Sequence, residues 1–523
     1  GKRKLDNDIV YCVSHDDAIS WSKPCPVSLD FMTSTGKDAE VSLATDGDGI
    51  WMLVWSSDDS MQRTIGRDKD VLFSISYDDG DTWTLPRPLN TDAGTDQDDT
   101  TYLGVETNPV LKNDGKGRWV AVWESVGAMG EELGFDSEIL TSWSNDNGDS
   151  WSMPTLLSYD TVLSPFCDRY PKIETNDNGI WMVCWNKMDE NSKNQFSCVS
   201  ISKNNEENWL KAALPEFSEM SIYSYLKSQY CFSLNDKKWV LLERRADYCE
   251  GGKELFIFSS NDNGKNWSGP YDVTPKLEKD FSPSAASVRG KSDCLIIGYL
   301  YPNSNEDALP FRTFTHEFGK HSLDLLGEFT VQKEYNQYVC NPCLFEISQK
   351  KWLFTSQPND PYQYDINNTA IEGIFSYDDG KTWKNKVKLA VAGEFSEDTH
   401  VRSIGDLDIA SDNNDHLLGV MSARTYNKGC CFVGLTESND LGKNWTKPRL
   451  LQGSESYFYD TKPVISADGK GNIVILWQSR QDIPLDRNAY ISIMRTCSND
   501  SGKTWTLPSS ISVRNVSFKT RNE

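Results

Sequence analysis

The chain has 523 residues and a formal net charge of −24, with 77 acidic and 53 basic side chains. A field of that sign repels phosphate backbones and anionic bilayers, so we expect no nucleic-acid partner. No apolar stretch approaches the length of a membrane-spanning helix, so we also expect no membrane insertion. The 18 tryptophans are many for this length, and most of them belong to a repeated pattern.

An eight-residue pattern, Ser-x-Asp-x-Gly-x-x-Trp, recurs along almost the whole chain. Weaker copies begin at Ser14, Ser202 and Thr315. Copies begin 55 to 68 residues apart, which is typical of repeat folds in which each unit buries its apolar face against its neighbours. The complete copies are Ser76–Trp83, Ser144–Trp151, Ser260–Trp267, Ser376–Trp383, Ser438–Trp445 and Ser498–Trp505.

The chemistry of this box predicts a rigid turn between two strands. Its Asp can accept hydrogen bonds from backbone N–H groups two residues on, and its Gly supplies positive φ. Its Trp can place a large ring between adjacent sheets. We therefore interpret the box aspartates as structural rather than catalytic or metal-binding: Asp78, Asp146, Asp262, Asp378, Asp440 and Asp500.

A second landmark precedes five of the boxes by 21 to 25 residues. It is a Trp that opens an apolar run, as in Trp51-Met-Leu-Val-Trp55, and usually follows a turn-forming stretch. Each unit thus predicts strand, turn, strand, loop, strand, box, strand, which makes a four-stranded antiparallel blade. Such blades arranged around a channel form an all-β β-propeller. The other Trp residues of this kind are Trp119, Trp181, Trp239 and Trp352.

The spacing predicts one propeller domain over residues 1–523. Eight units, with boxes from Ser76 to Ser498, have room for four strands each, so residues 31–523 are expected to form about eight complete blades. Residues 1–30 have room for only part of a blade. Two smaller propellers are the alternative, but no Pro-, Gly- or Ser-rich linker interrupts the period.

The cysteines and sequons favour a secreted or lumenal protein. Thirteen cysteines cannot all pair within the chain, and Cys184 and Cys198, on neighbouring strands of one blade, could be bridged. A zinc site would need a second pair of ligands at matching spacing, and none appears in a chain with only five histidines. We therefore expect no metal and no cofactor. The sequence does not define an oligomeric state. Sequons occur at Asn266, Asn367, Asn444, Asn499 and Asn515.

The box copies make the chain resemble the sialidase superfamily of Asp-box, or BNR-repeat, propellers. This resemblance implies the fold strongly and the activity weakly, because function depends on the site and not on the scaffold. A sialidase would need three arginines for the substrate carboxylate, a Tyr nucleophile activated by Glu, and an Asp acid/base. No Tyr and Glu pair can be assigned, and Tyr299, Tyr301, Tyr457 and Tyr459 are candidates by loop position only.

The resemblance implies a set of site residues. Arg169 lies in Cys167-Asp-Arg-Tyr-Pro171, the nearest match to the family's first-arginine motif, at the head of a first strand. Asp189 follows at a spacing that suits an acid/base. The remaining candidates lie where second strands are expected to end: Arg245, Arg424 and Arg480.

The loops between second and third strands, and between blades, are the most variable and share one face, where we expect the site. Aromatic side chains on that rim suit sugar rings or protein partners. We favour recognition of a glycan or glycoprotein by this face. An exo-sialidase or other glycoside hydrolase, and a scaffold without sugar binding, are the alternatives. The rim aromatics are Tyr362, Tyr364, Tyr426, Tyr457, Phe458 and Tyr459.

Overall fold

A computed structural model gives the fold as an all-β chain of short antiparallel sheets. A turn of 3₁₀ helix at Ala392–Glu394 follows one of the strands. The structure describes residues 8–16, 21–27, 36–61, 64–66, 68–91, 93–94, 104–126, 136–158, 166–176, 179–189, 195–203, 209–212, 214, 224–233, 237–247, 253–272, 294–300, 308–317, 324–332, 339–348, 351–358, 370–378, 382–395, 401–412, 415–425, 431–451, 458–481 and 490–513.

The strands follow one another in chain order within each sheet. A two-stranded ribbon, β1 and β2, precedes four sheets of four strands. These are β1 Val10–Tyr11 and β2 Cys25–Pro26; sheet 1, β3 Asp38–Thr45, β4 Trp51–Ser57, β5 Asp70–Ser76 and β6 Arg87–Pro88; sheet 2, β7 Val105–Asn113, β8 Trp119–Val126, β9 Ser137–Ser144 and β10 Thr155–Leu156; sheet 3, β11 Phe166–Thr175, β12 Ile180–Asp189, β13 Gln195–Lys203 and β14 Trp209–Ala212; sheet 4, β15 Ser224–Ser233, β16 Trp239–Asp247, β17 Lys253–Ser260 and β18 Ser268–Asp272.

The second half of the chain repeats this plan. Sheet 5 has three strands among the described residues, and sheets 7 and 8 are linked by one parallel bridge from Cys431 to Tyr459. The strands are sheet 5, β19 Cys294–Leu300, β20 Ala308–Glu317 and β21 Asp324–Gln332; sheet 6, β22 Val339–Ser348, β23 Lys351–Pro358, β24 Ala370–Ser376 and β25 Lys384–Val391; sheet 7, β26 Val401–Ser411, β27 Leu417–Thr425, β28 Cys431–Ser438 and β29 Arg449–Leu450; sheet 8, β30 Phe458–Ala467, β31 Ile473–Gln481, β32 Tyr490–Ser498 and β33 Ser509–Val513.

Second strands form the core because neighbouring sheets cover both of their faces. In β4, Met52, Val54 and Trp55 are all buried, and the continuous apolar run is what two covered faces require. Core clusters cross from sheet to sheet: Met52 and Val54 of sheet 1 share one with Leu111 and Trp119 of sheet 2. Each sheet is therefore stabilised mainly by its neighbours.

Consecutive sheets meet along their first strands. β3 contacts β7, β7 contacts β11 and β11 contacts β15, while β22, β26 and β30 form a second such series. The second and third strands lie progressively further from this inner row within each sheet. This order leaves the beginnings of the first strands and the ends of the second strands at one edge, and the box turns at the other.

The segment around β1 contacts both sheet 1 and sheet 8. Tyr11 Oη donates to the carbonyl of Asp81 at 3.1 Å, and the Tyr11 ring lies 5.6 Å from Trp83. Cys12 Sγ donates to the carbonyl of Ile511, 499 residues away, at 3.5 Å. No helix among the described residues has the length and apolar character needed to cross a bilayer.

Candidate functional site

The box turns hold their aspartates in closed hydrogen-bond networks. In the first complete box, Asp78 Oδ1 accepts from Ser76 Oγ at 2.8 Å and from the backbone N–H of Thr82 at 2.9 Å. The backbone donor lies four residues after Asp78, not two as the sequence predicted. The N–H two residues on, that of Gly80, instead donates to the Ser76 hydroxyl at 2.8 Å. Hydrogen bonds from Thr82 and Ser76 lower the pKa of Asp78.

The other complete boxes repeat these contacts. In the last one, the side-chain and backbone hydrogen bonds from Thr504 lower the pKa of Asp500 to about 2. The Gly of the second box has φ +86°, and a Cβ there would lie 2.5 Å from the Cε atom of Met52 in sheet 1. These carboxylates are saturated by their own turns, so they are poor candidates for chemistry. The corresponding Ser–Asp contacts are at Asp146, Asp262, Asp378 and Asp440.

At the opposite edge, the first strands of sheets 1, 2, 3, 7 and 8 share a β-bulge with one left-handed residue. In β11, for example, the register shifts between Arg169 and Lys172, and Tyr170 has a φ of 58°. A left-handed non-Gly residue costs backbone energy, so its recurrence at equivalent places reflects a fixed local geometry. The equivalent residues are Glu40, Asn108, Asp406 and Lys462.

Hydrogen bonds join these bulges from one sheet to the next. Glu40 Oε2 accepts from the backbone N–H of Asn108 at 2.8 Å. Glu124 Oε1, on the second strand β8, accepts from Asn108 Nδ2 at 2.9 Å and from the backbone N–H of Tyr170 at 2.5 Å. Burial raises the pKa of Glu124, although these hydrogen bonds and the nearby Arg169 oppose that shift.

We call Glu40, Asn108, Glu124, Arg169 and Tyr170 the inner-strand site. Its carboxylate Glu124 is buried, whereas the Tyr170 side chain is 55% exposed and Arg169 is half-buried beside it. The site thus presents a cationic donor and an aromatic ring on a backbone fixed by buried hydrogen bonds. Of the predicted residues, Arg169 and Asp189 belong to the same sheet, where Arg169 pairs with Asn186 and Asp189 with Phe166.

Arg245 is not available to a ligand. Its guanidinium forms an ion pair with Glu243, with Nη2 at 2.8 Å and Nε at 2.9 Å from Oε2, and both side chains are 1% exposed. Its Nη1 donates to the carbonyl of Gln195 in the neighbouring sheet at 2.9 Å. Arg245 therefore ties sheet 4 to sheet 3.

Arg424 and Arg480 lie at the same row of paired residues across sheets 7 and 8. Arg424 pairs with Cys431, Cys431 bridges to Tyr459, and Tyr459 pairs with Arg480. Arg480 is exposed and Arg424 is half-buried. The structure thus places Arg169 with Asp189 in sheet 3, and Arg424 with Arg480 and Tyr459 in sheets 7 and 8.

A set of buried or half-buried acids on the first strands was not among the residues predicted from the sequence. Each stands 17 residues before a Trp within the second strand of its unit, a spacing that would have revealed them. At the junction between sheets 2 and 3, which we call the second junction, Trp185 Nε1 donates to Asp168 Oδ1 at 2.5 Å. The equivalent acids are Asp38, Glu106 and Asp460, preceding Trp55, Trp123 and Trp477.

At the second junction two acids are buried together. Burial, and then the neighbouring Glu138, raise the pKa of Asp168 to about 8. Burial raises the pKa of Glu138 to about 7, against its hydrogen bond from Ser158 and the positive charges of Lys187 and Lys211. Asp168 Oδ2 has no hydrogen-bond partner among the described residues. Both carboxyls lie too deep to touch a large ligand.

The first junction, between sheets 1 and 2, holds the described acidic group best placed for a metal ion. Asp68, Asp70 and Glu106 each offer an oxygen atom within 4.8 Å of the others, and all three are buried. Asn90 Nδ2 donates to Asp70 at 2.8 Å, and Ser125 Oγ donates to Glu106 at 2.7 Å. An all-oxygen set suits a hard cation such as Ca²⁺. The expectation of no metal stays a prediction.

A cleft of about 450 Å³ opens between sheets 1 and 2, away from the predicted arginines. The guanidinium of Arg87 lies 4.7 Å above the Phe73 ring and donates from Nη2 to the carbonyl of Gly148 at 3.2 Å. The Trp151 ring meets Phe73 edge-on at 5.7 Å, and Asp149 also lines the cleft. Its volume is sufficient for one small ligand.

Most of the variable-loop face lies outside the described residues. Tyr459 is the one rim aromatic whose side chain the structure describes, and it is half-buried. The predicted recognition by that rim stays a prediction. The aromatic positions outside the description are Tyr362, Tyr364, Tyr426 and Tyr457.

Comparison with known proteins gives the family. The model of the BNR repeat-like domain matches residues 52–288 and 325–521, which is more than half of the chain. The chain therefore belongs to the BNR repeat-like domain family, and its recognition as a sialidase-like, BNR-repeat protein is confirmed. No curated protein matches the chain.

Solved structures give only distant likenesses. An α-L-arabinanase of Penicillium chrysogenum in complex with arabinobiose is 12% identical, with 61% of this chain and 89% of that chain covered and a TM-score of 0.32. A sialidase of Streptococcus pneumoniae is 11% identical, with 88% and 83% covered and a TM-score of 0.27. An ulvan lyase is 9% identical, with 90% and 92% covered and a TM-score of 0.38. With TM-scores this low, none of the three bears on the activity of this chain.

Proposed function

We propose that the sheets close into one β-propeller of about eight blades and that the inner-strand site binds a carbohydrate. Two features support the closed ring. First strands contact one another from sheet to sheet, and the segment around β1 contacts both sheet 1 and sheet 8 through Tyr11 and Cys12. This segment would then be the partial N-terminal unit expected from residues 1–30.

The observation that carries carbohydrate binding is the succession of Arg169 and the exposed Tyr170 at the head of β11. The exposed Tyr170 ring offers a flat apolar face with a polar tip, which suits stacking on a sugar ring. Arg169 beside it offers planar donors for a carboxylate or for hydroxyl groups. The left-handed backbone at Tyr170 is held by Glu124, so the backbone that carries the ring is ordered before a ligand arrives.

We favour binding over sialoside hydrolysis because the arginine set is incomplete as a clamp. Arg245 is committed to Glu243, and the remaining three are divided between sheet 3 and sheets 7 and 8. A carboxylate clamp needs its donors to converge on one group. A scaffold without sugar binding remains the contrasting outcome of the experiment below.

The test is binding of the full chain to immobilised sialylated and desialylated glycans, with Tyr170→Ala and Arg169→Ala variants. Each substitution is expected to weaken binding by about tenfold or more, equivalent to about 1.4 kcal/mol. Tyr77→Ala is the matched control, because Tyr77 is similarly exposed at 51% but lies in a box turn at the opposite edge. It is expected to leave binding unchanged.

Two results would overturn the proposal. If the wild type binds no glycan, or if Tyr170→Ala binds as the wild type does, the inner-strand site is not a carbohydrate site. Turnover of a fluorogenic sialoside by the wild type, abolished by Arg169→Ala, would instead establish the enzyme. We expect no turnover.

We also propose a secreted or lumenal location for the protein. The sequon residues Asn266, Asn444 and Asn499 are exposed at box turns, where a glycan would project into solvent. Expression in secreting eukaryotic cells should then give a protein whose mass falls on enzymatic deglycosylation. An unchanged mass would remove this support.

A further inference from the structure

A pair of thiols faces across the junction between sheets 3 and 4, which we call the third junction. Cys184, on β12, is completely buried in a core cluster that also contains Trp239, Leu241 and Phe258 of sheet 4. Cys231, on β15, is partly buried and packs against the same cluster. Burial, and then the neighbouring Cys231 thiol, raise the pKa of Cys184.

The bridge suggested by the sequence, between Cys184 and Cys198, is wrong. Cys184 pairs with Val199 across the β12–β13 ladder, and Cys198 pairs with Trp185. Because successive side chains of a strand point to opposite faces, the two thiols leave opposite faces of sheet 3. Cys184 faces sheet 4, whereas Cys198 packs in the cluster shared with sheet 2.

The other junctions show what normally occupies these two positions. Cys184 stands three residues after the Trp that opens its second strand, and Val54 and Val122 stand at the same place in sheets 1 and 2. The first-strand residue that meets Val54 in its core cluster is Leu111, and Ile173 packs against the cluster of Val122.

At a further junction, between sheets 7 and 8, the equivalents are Val420 and Ile465, which also share a core cluster. Three junctions therefore pack a Val against a Leu or Ile, while the third junction has replaced both aliphatic residues by cysteine. A single buried cysteine would be an ordinary small apolar residue. Two that replace both members of one contact are placed to react with each other.

We infer that Cys184 and Cys231 form a disulfide that covalently joins sheet 3 to sheet 4 under oxidising conditions. The oxidant is a small disulfide such as oxidised glutathione. The thiolate of the more exposed Cys231 attacks it, forms a mixed disulfide and releases one glutathione thiolate. The Cys184 thiolate then attacks the Cys231 sulfur and releases the second glutathione. The protein loses two protons and two electrons, and one glutathione disulfide becomes two glutathione thiols.

The consequence is a change in how the two sheets are held together. In the reduced state, apolar packing and the Arg245–Gln195 hydrogen bond join them. In the oxidised state, a disulfide between β12 and β15 also keeps these two segments close in the unfolded chain. It thereby lowers the conformational entropy of the unfolded state. This inference does not depend on carbohydrate binding, because the thiols lie in the core and not at the inner-strand site.

The test is disulfide mapping of the full chain after incubation with oxidised or reduced glutathione. Remaining thiols are alkylated in denaturant without reductant, and the digest is analysed by mass spectrometry. After oxidation we expect the peptide of Cys184 linked to that of Cys231, lighter than the two reduced peptides by two hydrogen atoms. Alkylation of both residues after oxidation, or linkage of Cys184 to a different cysteine, would overturn the inference.

A double variant, Cys184→Val with Cys231→Ile, restores the residues of the other junctions and should therefore fold. Oxidation is expected to raise the Tm of the wild type by about 2–5 °C and to leave this variant unchanged. Cys198→Ala is the matched control, and it should keep both the cross-link and the Tm shift. An equal Tm response of the double variant would contradict a bond between these residues.

Discussion

The second and third junctions bury charged residues in contrasting ways. At the second junction, Asp168 and Glu138 lie together. Burial raises the pKa of both carboxyl groups and so favours their neutral, protonated forms. At the third junction, Glu243 forms an ion pair with Arg245 in the interior. Burial of an unpaired charge is costly, so a repeated scaffold can remove that cost by neutralising the group or by pairing it. Neutralisation by a proton depends on pH, whereas the ion pair requires that both Glu243 and Arg245 are kept.

The largest expected effect comes from breaking the ion pair of the third junction. Arg245→Met leaves Glu243 buried without its cation and is expected to destabilise the fold by about 3–5 kcal/mol. Chemical denaturation at pH 7 measures it. Adding Glu243→Leu should recover most of the loss, because a well-packed apolar pair can replace a buried ion pair. A single variant as stable as the wild type would show that this pair is not a structural contact.

The next effect concerns the protons of the second junction. The folded pKa of Asp168 is raised from 3.8 to about 8, so the folded state keeps a proton that the unfolded chain releases. Its contribution to stability is therefore complete below about pH 4 and is lost as pH rises towards 8. Asp168→Asn removes this titration and should stabilise the protein by about 1–2 kcal/mol at pH 8 relative to the wild type, with a flatter stability profile above pH 5.

The measurement is the free energy of unfolding at several pH values between 5 and 8. Glu138→Gln is the partner variant, since the pKa of Glu138 is raised to about 7, and it should flatten the same profile. Asp136 and Lys211 also act on Asp168 and are unchanged in both variants. A profile of Asp168→Asn as steep as that of the wild type would place the titrating group elsewhere.

The smallest expected effect tests the hydrogen bond that supports Asp168. Trp185→Phe removes the indole N–H donor at 2.5 Å from Oδ1 and should cost about 1 kcal/mol. That donor favours the carboxylate form, so its loss should move the titration of Asp168 to higher pH. The stability profile would then level off later than in the wild type. A shift to lower pH would contradict this assignment.

The repeat of the sequence predicts the strand pattern well because the residues that determine each strand and turn are close together in the sequence. A Trp such as Trp51 opens a run buried on both faces, and in the complete boxes whose Gly the structure describes, that Gly has positive φ. Both features depend on neighbours a few residues away, so one sequence shows them. The order of strands around each box follows from the same signals.

The site is less predictable because it depends on contacts between sheets. Arg245 and Arg480 occupy almost the same repeat position, yet the first is buried with Glu243 and the second is exposed. Glu243 stands two residues before Arg245, where Arg480 has Gln478, but the Gln195 carbonyl that also holds Arg245 is 50 residues away in another sheet. Likewise, the partner of Cys184 is Cys231 of the next sheet and not the nearer Cys198, since strand pleating directs the two thiols of sheet 3 to opposite faces.

The contact of Cys12 with Ile511 also has a consequence for the order of folding. Nearly all strand pairs are made between chain neighbours within one sheet, so each sheet can assemble as soon as its own stretch leaves the ribosome. The hydrogen bond between Cys12 and Ile511 spans 499 residues and must wait for the last sheet. During synthesis, the side of this N-terminal segment that carries Cys12 is therefore exposed until the last strand is made, and it is where a chaperone would have most time to act.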